Sequence, residues 1–574
     1  MNFYKIYLLE IQRKLINNKS KIGIFSKKDL ENISVEKPPD KFDFDFSSNA
    51  AMVLSKKTKQ NPKHLAELIK STMMEGSKEF SSISIAGPGF LNFKLSNLAW
   101  LKIIKNILMI KKKYGSIKSK KKYNIEFVSS NPTGPLHVGH CRGAVFGDVL
   151  TNLVKFNGNK VVKEFYINDY GSQIDNFTKS VFLRMREIKF DEPFPNDNNL
   201  YPGSYIKDIA RKIIVQESKI NLNDYKKIYK KLKKSCLKYS MNLIKSDLNK
   251  LGIKHDYFFS ESELVSNNYV KKTVNKLKKG NYVEYGFLNP PKGEEIKNWK
   301  KTKRLIFKSS RFGDDTDRAL QKNDGSWTYF ANDVAYHDTK LNKKYDYLIN
   351  VLGADHTGYI KRISAAVEAL SKKKIILICK VCQLVKLFKN GQPYKMSKRQ
   401  GDFISVTDLL KEVGKDSVRF MMLNRGNDSE IDFDFTKVQE KNKDNPVFYV
   451  QYCYARINSL FRSLKVNLNH KIYIDIENFN PNEFEYKLLR KIIEWPKIID
   501  QSYTKLEPHR IPFYLYDLAT IFHSYWSKGN ENIKYKFINN GQMNNPLSFV
   551  IFQLISIILE NGMTILGVSL PKKM

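Results

Sequence analysis

Residues 129–143 read SSNPTGPLHVGHCRG, and the patterns on either side of this stretch decide the fold class. Before it, residues 123–128 are apolar at alternate positions and rich in β-branched and aromatic side chains, which predicts a strand entering a core. After it, apolar residues recur at helical spacing from Ala144 to Val154, and Asn157-Gly158 supplies a left-handed stop. The sequence therefore predicts a strand, a loop rich in proline and glycine, and a helix.

The start of this predicted helix has the chemistry of an anion site. Backbone N–H groups at a helix start lack partners within the helix and carry the positive end of its dipole, so phosphate is the expected ligand. His137 and His140 lie three residues apart, hence on one face, and can donate hydrogen bonds to developing negative charge. Gly139 between them lets a ligand approach the backbone closely. An isolated H-x-x-H is equally compatible with a capped helix that carries two solvated histidines.

A second candidate phosphate site lies far downstream, at residues 394–401, which read YKMSKRQG. Gly391, Pro393 and Gly401 punctuate this stretch and predict a short loop. Lys395 and Lys398 are suited to bind a polyphosphate as point charges, which is what a leaving pyrophosphate requires.

Together the two motifs resemble the signature pair of class I aminoacyl-tRNA synthetases. Further segments are similar to arginyl-tRNA synthetases in particular, and the resemblance covers nearly the whole chain. These segments are NPTGP at 131–135, YINDYG at 166–171, LGADHTGY at 352–359 and EPHR at 507–510. The departures from the family pattern are small: Cys141 stands where a small residue is usual, and Tyr170 where alanine is common.

Two other classes of protein share part of this pattern. Another class I synthetase or a small-molecule adenylyltransferase would carry the same phosphate motifs, but a short adenylyltransferase needs neither an N-terminal module nor a helical C-terminal part. A non-catalytic RNA-binding protein derived from a synthetase would tolerate the loss of either phosphate motif. Both motifs are intact here, which favours the enzyme.

Length and charge indicate a multidomain protein with a polyanionic partner. A chain of 574 residues is too long for one core, so several domains are expected. The formal net charge of +40 points to RNA, although lysine and asparagine are abundant throughout and A/T-biased coding accounts for about half of the excess.

Five cysteines in such a length argue for a reducing compartment, and we expect a cytoplasmic protein. Cys379 and Cys382 form a C-x-x-C without a second pair or a histidine nearby, so no metal ligands are expected. The first 18 residues form a charged helical pattern, which is not that of a signal peptide. Residues 548–559 are apolar but too few to span a bilayer, so they indicate a core helix, and no membrane association is expected.

The predicted fold class is α/β. A second strand at residues 161–167 directly follows the first predicted helix, and strand, helix, strand implies a parallel βαβ unit whose ligands bind at the carboxyl ends of the strands. Residues 345–370 repeat the strand–loop–helix design. Between residues 175 and 300 basic helices predominate, and sheet elements are expected to resume near Leu305.

The resemblance implies a Rossmann-like nucleotide-binding catalytic domain with a helical insertion, an N-terminal α+β domain and a C-terminal all-α anticodon-binding domain. The expected boundaries are 1–100 for the N-terminal tRNA-contacting domain, 101–395 for the catalytic domain with its insertion at about 175–300, 396–440 for the KMSK loop and a connecting stem, and 441–574 for the helical anticodon-binding domain.

The activity implied by the resemblance is the ATP-dependent activation of L-arginine to arginyl-adenylate, followed by transfer to the 3′-terminal ribose of tRNA(Arg). The residues expected to stabilise the negative charge on the phosphates are His137, His140, Lys395 and Lys398. ATP is expected to bring Mg²⁺. The other residues expected to contact ATP are Gly139, Gly353, Asp355, Met396 and Ser397. The residues expected to contact arginine are Glu126, Ser129, Asn131, Glu261, Tyr329, Asp333 and His356.

Carboxylates suit this substrate because a guanidinium calls for planar, bidentate partners. The implied partners are thus tRNA(Arg), L-arginine and ATP, and a monomer is expected. The resemblance also implies that arginine activation requires bound tRNA.

Overall fold

The computed structural model describes residues 2–39, 42–288, 302–372, 374–394 and 404–574. The chain divides into two compact units: the first comprises Met1–Ile117 together with Lys441–Met574, and the second comprises Lys118–Glu440. The motifs that carry the predicted chemistry fall in the second unit.

The N-terminal part of the first unit is an α+β module. Its helices are α1 (Phe3–Asn17), α2 (Lys19–Ile22), α3 (Ala50–Thr58), α4 (Pro62–Met74) and α5 (Asn97–Ile110). Its strands are β1 (Val35–Glu36), β2 (Phe46–Ser48), β3 (Phe80–Ala86) and β4 (Phe90–Leu95), which form an antiparallel sheet in the order β1-β2-β4-β3. The β3–β4 turn uses Gly87 and Gly89 at positive φ, which glycine adopts without steric cost.

The second unit is built on strands and helices in alternation. Its strands are β5 (Lys122–Glu126), β6 (Lys160–Ile167), β7 (Tyr257–Ser260), β8 (Val283–Gly286), β9 (Arg304–Phe307), β10 (Arg318–Ala319), β11 (Tyr347–Gly353), β12 (Ile376–Cys382), β13 (Val385–Lys389), β14 (Gln392–Pro393) and β15 (Ile431–Asp434). Its helices are α6 (Val138–Phe156), α7 (Ser172–Phe190), α8 (Ser204–Gln216), α9 (Tyr225–Lys250), α10 (Glu261–Ser266), α11 (Tyr269–Lys279), α12 (Tyr329–Leu341), α13 (Ile360–Ser371) and α14 (Val406–Met421).

The central sheet of this unit has the order β12-β11-β5-β6-β7, and every neighbouring pair is parallel. This confirms the predicted α/β class and the predicted βαβ unit. The packing of α6 on β5 is close, because a Cβ added at Gly147 would lie 2.3 Å from Cγ of Phe127. Only glycine fits at that crossing.

The helical insertion is shorter than the sequence predicted. Helices α7, α8 and α9 follow β6 and share a core of Phe177, Val181, Ile206, Ile209 and Leu232. The central sheet then continues at β7, where Glu164 pairs with Tyr257, so the expectation that sheet elements resume near Leu305 is wrong. A four-residue edge strand among long basic helices is too short to show a period of its own.

The C-terminal part of the first unit is helical, as predicted. Its elements are α15 (Pro446–Ser463), α16 (Glu483–Lys505), α17 (Arg510–Glu531), a small hairpin of β16 (Ile538–Asn539) and β17 (Gln542–Met543), and α18 (Pro546–Leu566). Asn445 and Asn545 cap α15 and α18, and in both helices proline follows the cap, where its missing N–H costs nothing. Among the described residues, α18 is the one helix long and apolar enough to cross a membrane, but 83% of its apolar window is buried, as expected of a core helix.

Candidate active site

The loops that follow β5 and β11 lie side by side at the carboxyl edge of the central sheet. Strands β5 and β11 are neighbours, with Tyr347 paired to Tyr123. The strand that follows β5 in the chain, β6, lies on one side of this pair, and the strand that follows β11, β12, lies on the other. In doubly wound sheets, ligands bind outside the carboxyl ends of the strands at such a switch point. The residues just after Glu126 and Gly353 are therefore placed where a ligand is expected.

The chain leaves β5 through a strained turn. Val128 and Ser129 have φ angles of +73° and +41°, a conformation that costs non-glycine residues about 1–3 kcal/mol and that a β-branched residue rarely adopts. The turn brings the Ser129 hydroxyl back to the strand, where it donates to Oε1 of Glu126 at 3.0 Å and accepts from the N–H of Tyr166 at 3.1 Å. In this strained turn, two hydrogen bonds hold the Ser129 hydroxyl beside Glu126.

The two histidines of the HVGH motif cap the helix that they begin. His137 is the N-cap of α6, and its Nδ1 accepts from the N–H of Gly139 at 3.1 Å. Nδ1 of His140 accepts from the N–H of His137 at 3.3 Å, and the two ring centroids lie 3.9 Å apart. Because each Nδ1 accepts, the proton of each neutral imidazole is on Nε2. Both rings can therefore present an N–H donor to a ligand.

Burial keeps these imidazoles neutral. Removal from water lowers the pKa of His137, and it lowers the pKa of His140 to about 4, with the nearby His137 acting in the same direction. At neutral pH the pair therefore acts as hydrogen-bond donors without a positive charge.

The prediction that backbone N–H groups at the start of α6 lack partners and can bind an anion is wrong. The N–H of Val138 donates to the Ile404 carbonyl at 2.9 Å, and the N–H of His140 donates to the His137 carbonyl at 2.9 Å. Together with the two imidazole acceptors, these bonds occupy the first backbone donors of α6. The donors that the start of α6 can present to a ligand are therefore the imidazole N–H groups.

Gly139 is required by its neighbour rather than by a ligand. A Cβ added at Gly139 would lie 2.9 Å from Cε1 and 3.0 Å from Nδ1 of the His137 ring. The glycine therefore makes room for the imidazole that caps the helix, and the sequence interpretation that it admits a ligand is not needed to explain it.

Three of the predicted substrate residues are carboxylates whose charges all act on one tyrosine hydroxyl. Tyr166, near the end of β6, is half-buried, and its pKa is raised by removal from water and then by the charges of Asp333, Glu261 and Glu126. Glu261 is 2% exposed, its Oε1 accepts from Nδ2 of Asn332 at 2.9 Å, and burial raises its pKa. The structure thus brings together acidic residues from β5, α10 and α12.

Asp333 is the carboxylate of the three whose pKa is raised furthest. It accepts a hydrogen bond from the Tyr359 hydroxyl, but removal from water raises its pKa to about 7, and the charges of Glu261 and Glu126 act in the same direction. A carboxylate held in this state gains strongly from a cationic partner. The site therefore favours a ligand that carries a positive charge.

A lysine that the sequence interpretation missed pairs with Glu126. Nζ of Lys340 donates to Oε2 of Glu126 at 2.5 Å, and Lys340 is 0% exposed. Burial acts to raise the pKa of Glu126, but the charge and hydrogen bond of Lys340 and the bond from Ser129 outweigh it and hold that pKa below its ordinary value. A signal was present, because Lys340 follows Asp333 by seven residues and so lies on the same face of α12.

Four other predicted residues lie nearer the surface. Tyr329 begins α12 one turn before Asp333 and is 62% exposed. Nδ2 of Asn131 donates to Oε1 of Gln173 at 2.6 Å. After β11, Nε2 of His356 lies 3.5 Å from Oδ2 of Asp355, and both side chains are exposed. None of these four side chains forms a hydrogen bond with Glu126, Glu261 or Asp333 in the described part of the chain.

Gly353 ends β11, and a Cβ added there would lie 2.7 Å from Oδ1 of Asp355. Because glycine has no side chain here, the carboxylate of Asp355 can lie close to the end of β11. The remaining predicted residues, Lys395, Met396, Ser397 and Lys398, lie outside the residues that the structure describes. In the described ranges, no group of three or more histidine, cysteine, aspartate or glutamate residues is arranged to hold a metal ion.

Comparison with known proteins identifies the family. The family model described as the class I (R) tRNA synthetase catalytic domain matches residues 103–458, and those of the arginyl-tRNA synthetase N-terminal domain and the DALR anticodon-binding domain match 9–95 and 450–574. This chain belongs to the arginyl-tRNA synthetase family.

Relatives of this synthetase match it from end to end. It is 51% identical over 579 residues to the arginine–tRNA ligase of Pelagibacter ubique and 43% identical over 591 residues to that of Bartonella henselae, with 100% of each chain covered in both comparisons. The fold is that of the Thermus thermophilus arginyl-tRNA synthetase, with a TM-score of 0.72 at 18% identity and 100% of both chains covered.

The synthetase is thus a class I arginine–tRNA ligase of protein biosynthesis, and its substrates are tRNA, arginine and ATP. The predicted fold class is confirmed: a parallel α/β catalytic domain with an N-terminal α+β domain and a helical anticodon-binding domain.

The buried pair of Lys340 and Glu126 predicts a large effect on the stability of the synthetase. Replacing Lys340 with methionine is expected to lower the free energy of unfolding by about 3–5 kcal/mol, because Glu126 is left buried without its cation. Urea unfolding of the full chain, followed by circular dichroism, measures the loss. Adding Glu126→Gln to Lys340→Met should recover most of it, and equal stability of the wild type and Lys340→Met would contradict the role assigned to the pair.

The raised pKa of Asp333 predicts that arginine binding depends on pH. If Asp333 is the partner of the guanidinium, arginine stabilises its ionised carboxylate, so binding is full above pH 7 and must expel a proton from Asp333 below it. The dissociation constant for arginine is therefore expected to rise by up to about tenfold per pH unit as the pH falls from 7 to 5.5. Calorimetry in buffers of different ionisation enthalpy should show proton release at pH 6 and little at pH 8.5, and Asp333→Asn should abolish this difference.

Proposed function

We propose that the carboxylate cluster of Glu261 and Asp333 binds the guanidinium of arginine, with Tyr329 beside it. The observation that carries this proposal is the convergence of three carboxylates on Tyr166, with Asp333 held at a raised pKa that a cation would lower. Glu126, Ser129, Asn131 and His356 lie toward the other end of the substrate, where an ionised Glu126 suits the α-ammonium group.

In the first half-reaction, the arginine carboxylate attacks the α-phosphorus of ATP, a P–O bond forms, and the bond to the β-phosphate breaks to release pyrophosphate. The neutral imidazoles of His137 and His140 donate from Nε2 to phosphate oxygens as their charge grows. Gly139, Gly353 and Asp355 line the adenosine side, and Asp355 is exposed and able to accept from a ribose hydroxyl. In the second half-reaction, a hydroxyl of the tRNA terminal ribose attacks the arginyl carbonyl and releases AMP.

On the basis of the sequence motif, Lys395 and Lys398 bind the pyrophosphate, with Met396 and Ser397 between them. Mg²⁺ would enter with ATP, whose phosphate oxygens would hold it. We further propose tRNA(Arg) as the nucleic-acid substrate, a monomer, a cytoplasmic location, and domain boundaries at 1–100, 101–395, 396–440 and 441–574, with the helical insertion limited to α7, α8 and α9.

ATP–pyrophosphate exchange with a panel of amino acids tests this assignment. The assay is run with the bare protein and then with tRNA whose terminal ribose has been oxidised, so that charging is blocked. Exchange is expected with arginine and not with lysine or citrulline, because lysine lacks the planar donor pair and citrulline lacks the charge. Exchange that citrulline supports as well as arginine would overturn the carboxylate assignment.

A further inference from the structure

Three segments of the second unit meet at the start of α6. Residues Leu136–Val138 and Ile404–Val406 pair as a short antiparallel ladder: the N–H of Val138 donates to the Ile404 carbonyl at 2.9 Å, and the N–H of Val406 donates to the Leu136 carbonyl at 3.0 Å. The third segment is the end of α9, which contributes Asp247. The HVGH motif and the segment that begins α14 are therefore held at one place.

Asp247 is bonded to Leu136 in this ladder and to Thr407, the residue that follows its other strand. Its Oδ2 accepts from the N–H of Leu136 at 3.0 Å, and its Oδ1 accepts from the hydroxyl of Thr407 at 2.9 Å. Lys250, one turn later on α9, donates to Oγ1 of Thr407 at 2.7 Å and lies 3.7 Å from Oδ1 of Asp247. One carboxylate thus joins the residue before His137 to the first turn of α14.

The position of this carboxylate is not explained by solubility. Asp247 is 4% exposed, and it is the one acidic residue among the 26 of α9, nine of which are lysines. Burial raises the pKa of its carboxyl group, and the bonds from Thr407, Leu136 and Lys250 oppose that shift. A group that is costly to bury and is bonded on both oxygens fixes the separation of the two segments that it touches.

We infer that Asp247 is a positioning residue for ATP use. It sets the register between the histidines that donate to the phosphates and the segment from Ile404 to Thr407. The inference rests on the proposed role of His137 and His140 at ATP. Misplacement of a catalytic group by about 1 Å can cost about 100-fold in rate, so a brace of this kind has a measurable effect without touching the substrate.

Asp247→Ala is expected to lower kcat/KM for ATP in arginine-dependent pyrophosphate exchange by about 10- to 100-fold, with tRNA present, and to leave KM for arginine within about twofold. Asp247→Asn should restore most of the loss, because its oxygen still accepts from Leu136 and its amide can donate to Thr407. Thr407→Val, which removes one bond only, should lower kcat/KM for ATP severalfold and add little to Asp247→Ala.

Asp338 offers a matched control in the same unit. It is buried and accepts from a threonine and a lysine, Thr273 at 2.8 Å and Lys276 at 2.7 Å, but it joins α12 to α11. Asp338→Ala and Thr273→Val should lower the melting temperature without a selective effect on ATP.

Unchanged ATP parameters in Asp247→Ala and Thr407→Val, or equal losses for ATP and arginine in proportion to lost stability, would overturn the inference. His140→Asn, which lacks the Nε2 donor, separates the two proposals. If it impairs ATP use and the Asp247 variants do not, only the inference on Asp247 fails. If it has no effect either, the proposed function of the histidines fails.

Discussion

Replacing Asp333 with asparagine is expected to raise KM for arginine by about 30- to 5,000-fold and to leave KM for ATP within a few fold. In the proposed site, the Asp333 carboxylate forms a charge-assisted pair with the guanidinium, and an amide cannot replace it. Loss of one partner from a buried charged pair costs about 2–5 kcal/mol, which corresponds to this range.

The structure makes this position more sensitive than its neighbours. The pKa of Asp333 is raised to about 7 by removal from water and by the charges of Glu261 and Glu126, so a cationic partner would favour its ionised form. The hydrogen bond from Tyr359 and the charge of Lys340 act to lower this pKa but do not outweigh the other effects.

Pyrophosphate exchange over a range of arginine concentrations, with tRNA present, measures the effect on KM. Asp346→Asn is the matched control, because Asp346 precedes β11 at the amino edge of the same sheet, where it accepts from the N–H of Lys122 at 2.7 Å. That variant should behave as the wild type. Equal arginine KM in Asp333→Asn and Asp346→Asn would remove Asp333 from the pocket.

Replacing His140 with asparagine is expected to slow arginyl-adenylate formation by about 100- to 1,000-fold, which is the usual loss on removing one preorganised donor from a developing oxyanion. The asparagine oxygen can take the place of Nδ1 and still accept from the N–H of His137, so the helix cap survives while the Nε2 donor is lost.

His140→Gln is the complementary variant, because its amide nitrogen reaches toward the position of Nε2 and loses the cap instead. It should retain more activity than His140→Asn and lose more stability. Single-turnover activation and thermal unfolding measure the two quantities separately. Since the pKa of His140 is lowered to about 4, its titration should leave no step in the activation rate between pH 6 and 8. Wild-type activation in His140→Asn would show that the imidazole does not act on the phosphates.

Local sequence determined most of the fold, because the signals for it are local. The strand before residue 129, the helix after it, and the second strand–loop–helix at β11 and α13 are encoded by apolar period, by Asn and Gly at the ends of elements, and by proline. Family motifs predict four residues that the structure brings together near Tyr166: Glu126, Ser129, Glu261 and Asp333.

The tertiary structure alone decided the state of each group in the site. Lys340 and Glu126 are 214 residues apart in the chain, so no local pattern announces their ion pair, although it sets the charge of Glu126. The same holds for Asp247, whose partners lie 111 and 160 residues away. The donor atoms of His137 and His140 follow from which backbone N–H each ring accepts, and the pKa of Asp333 follows from how far the folded chain removes it from water. Sequence motifs supplied the chemical groups, and long-range packing fixed their protonation, orientation and partners, because desolvation and hydrogen-bond geometry exist only once distant segments meet.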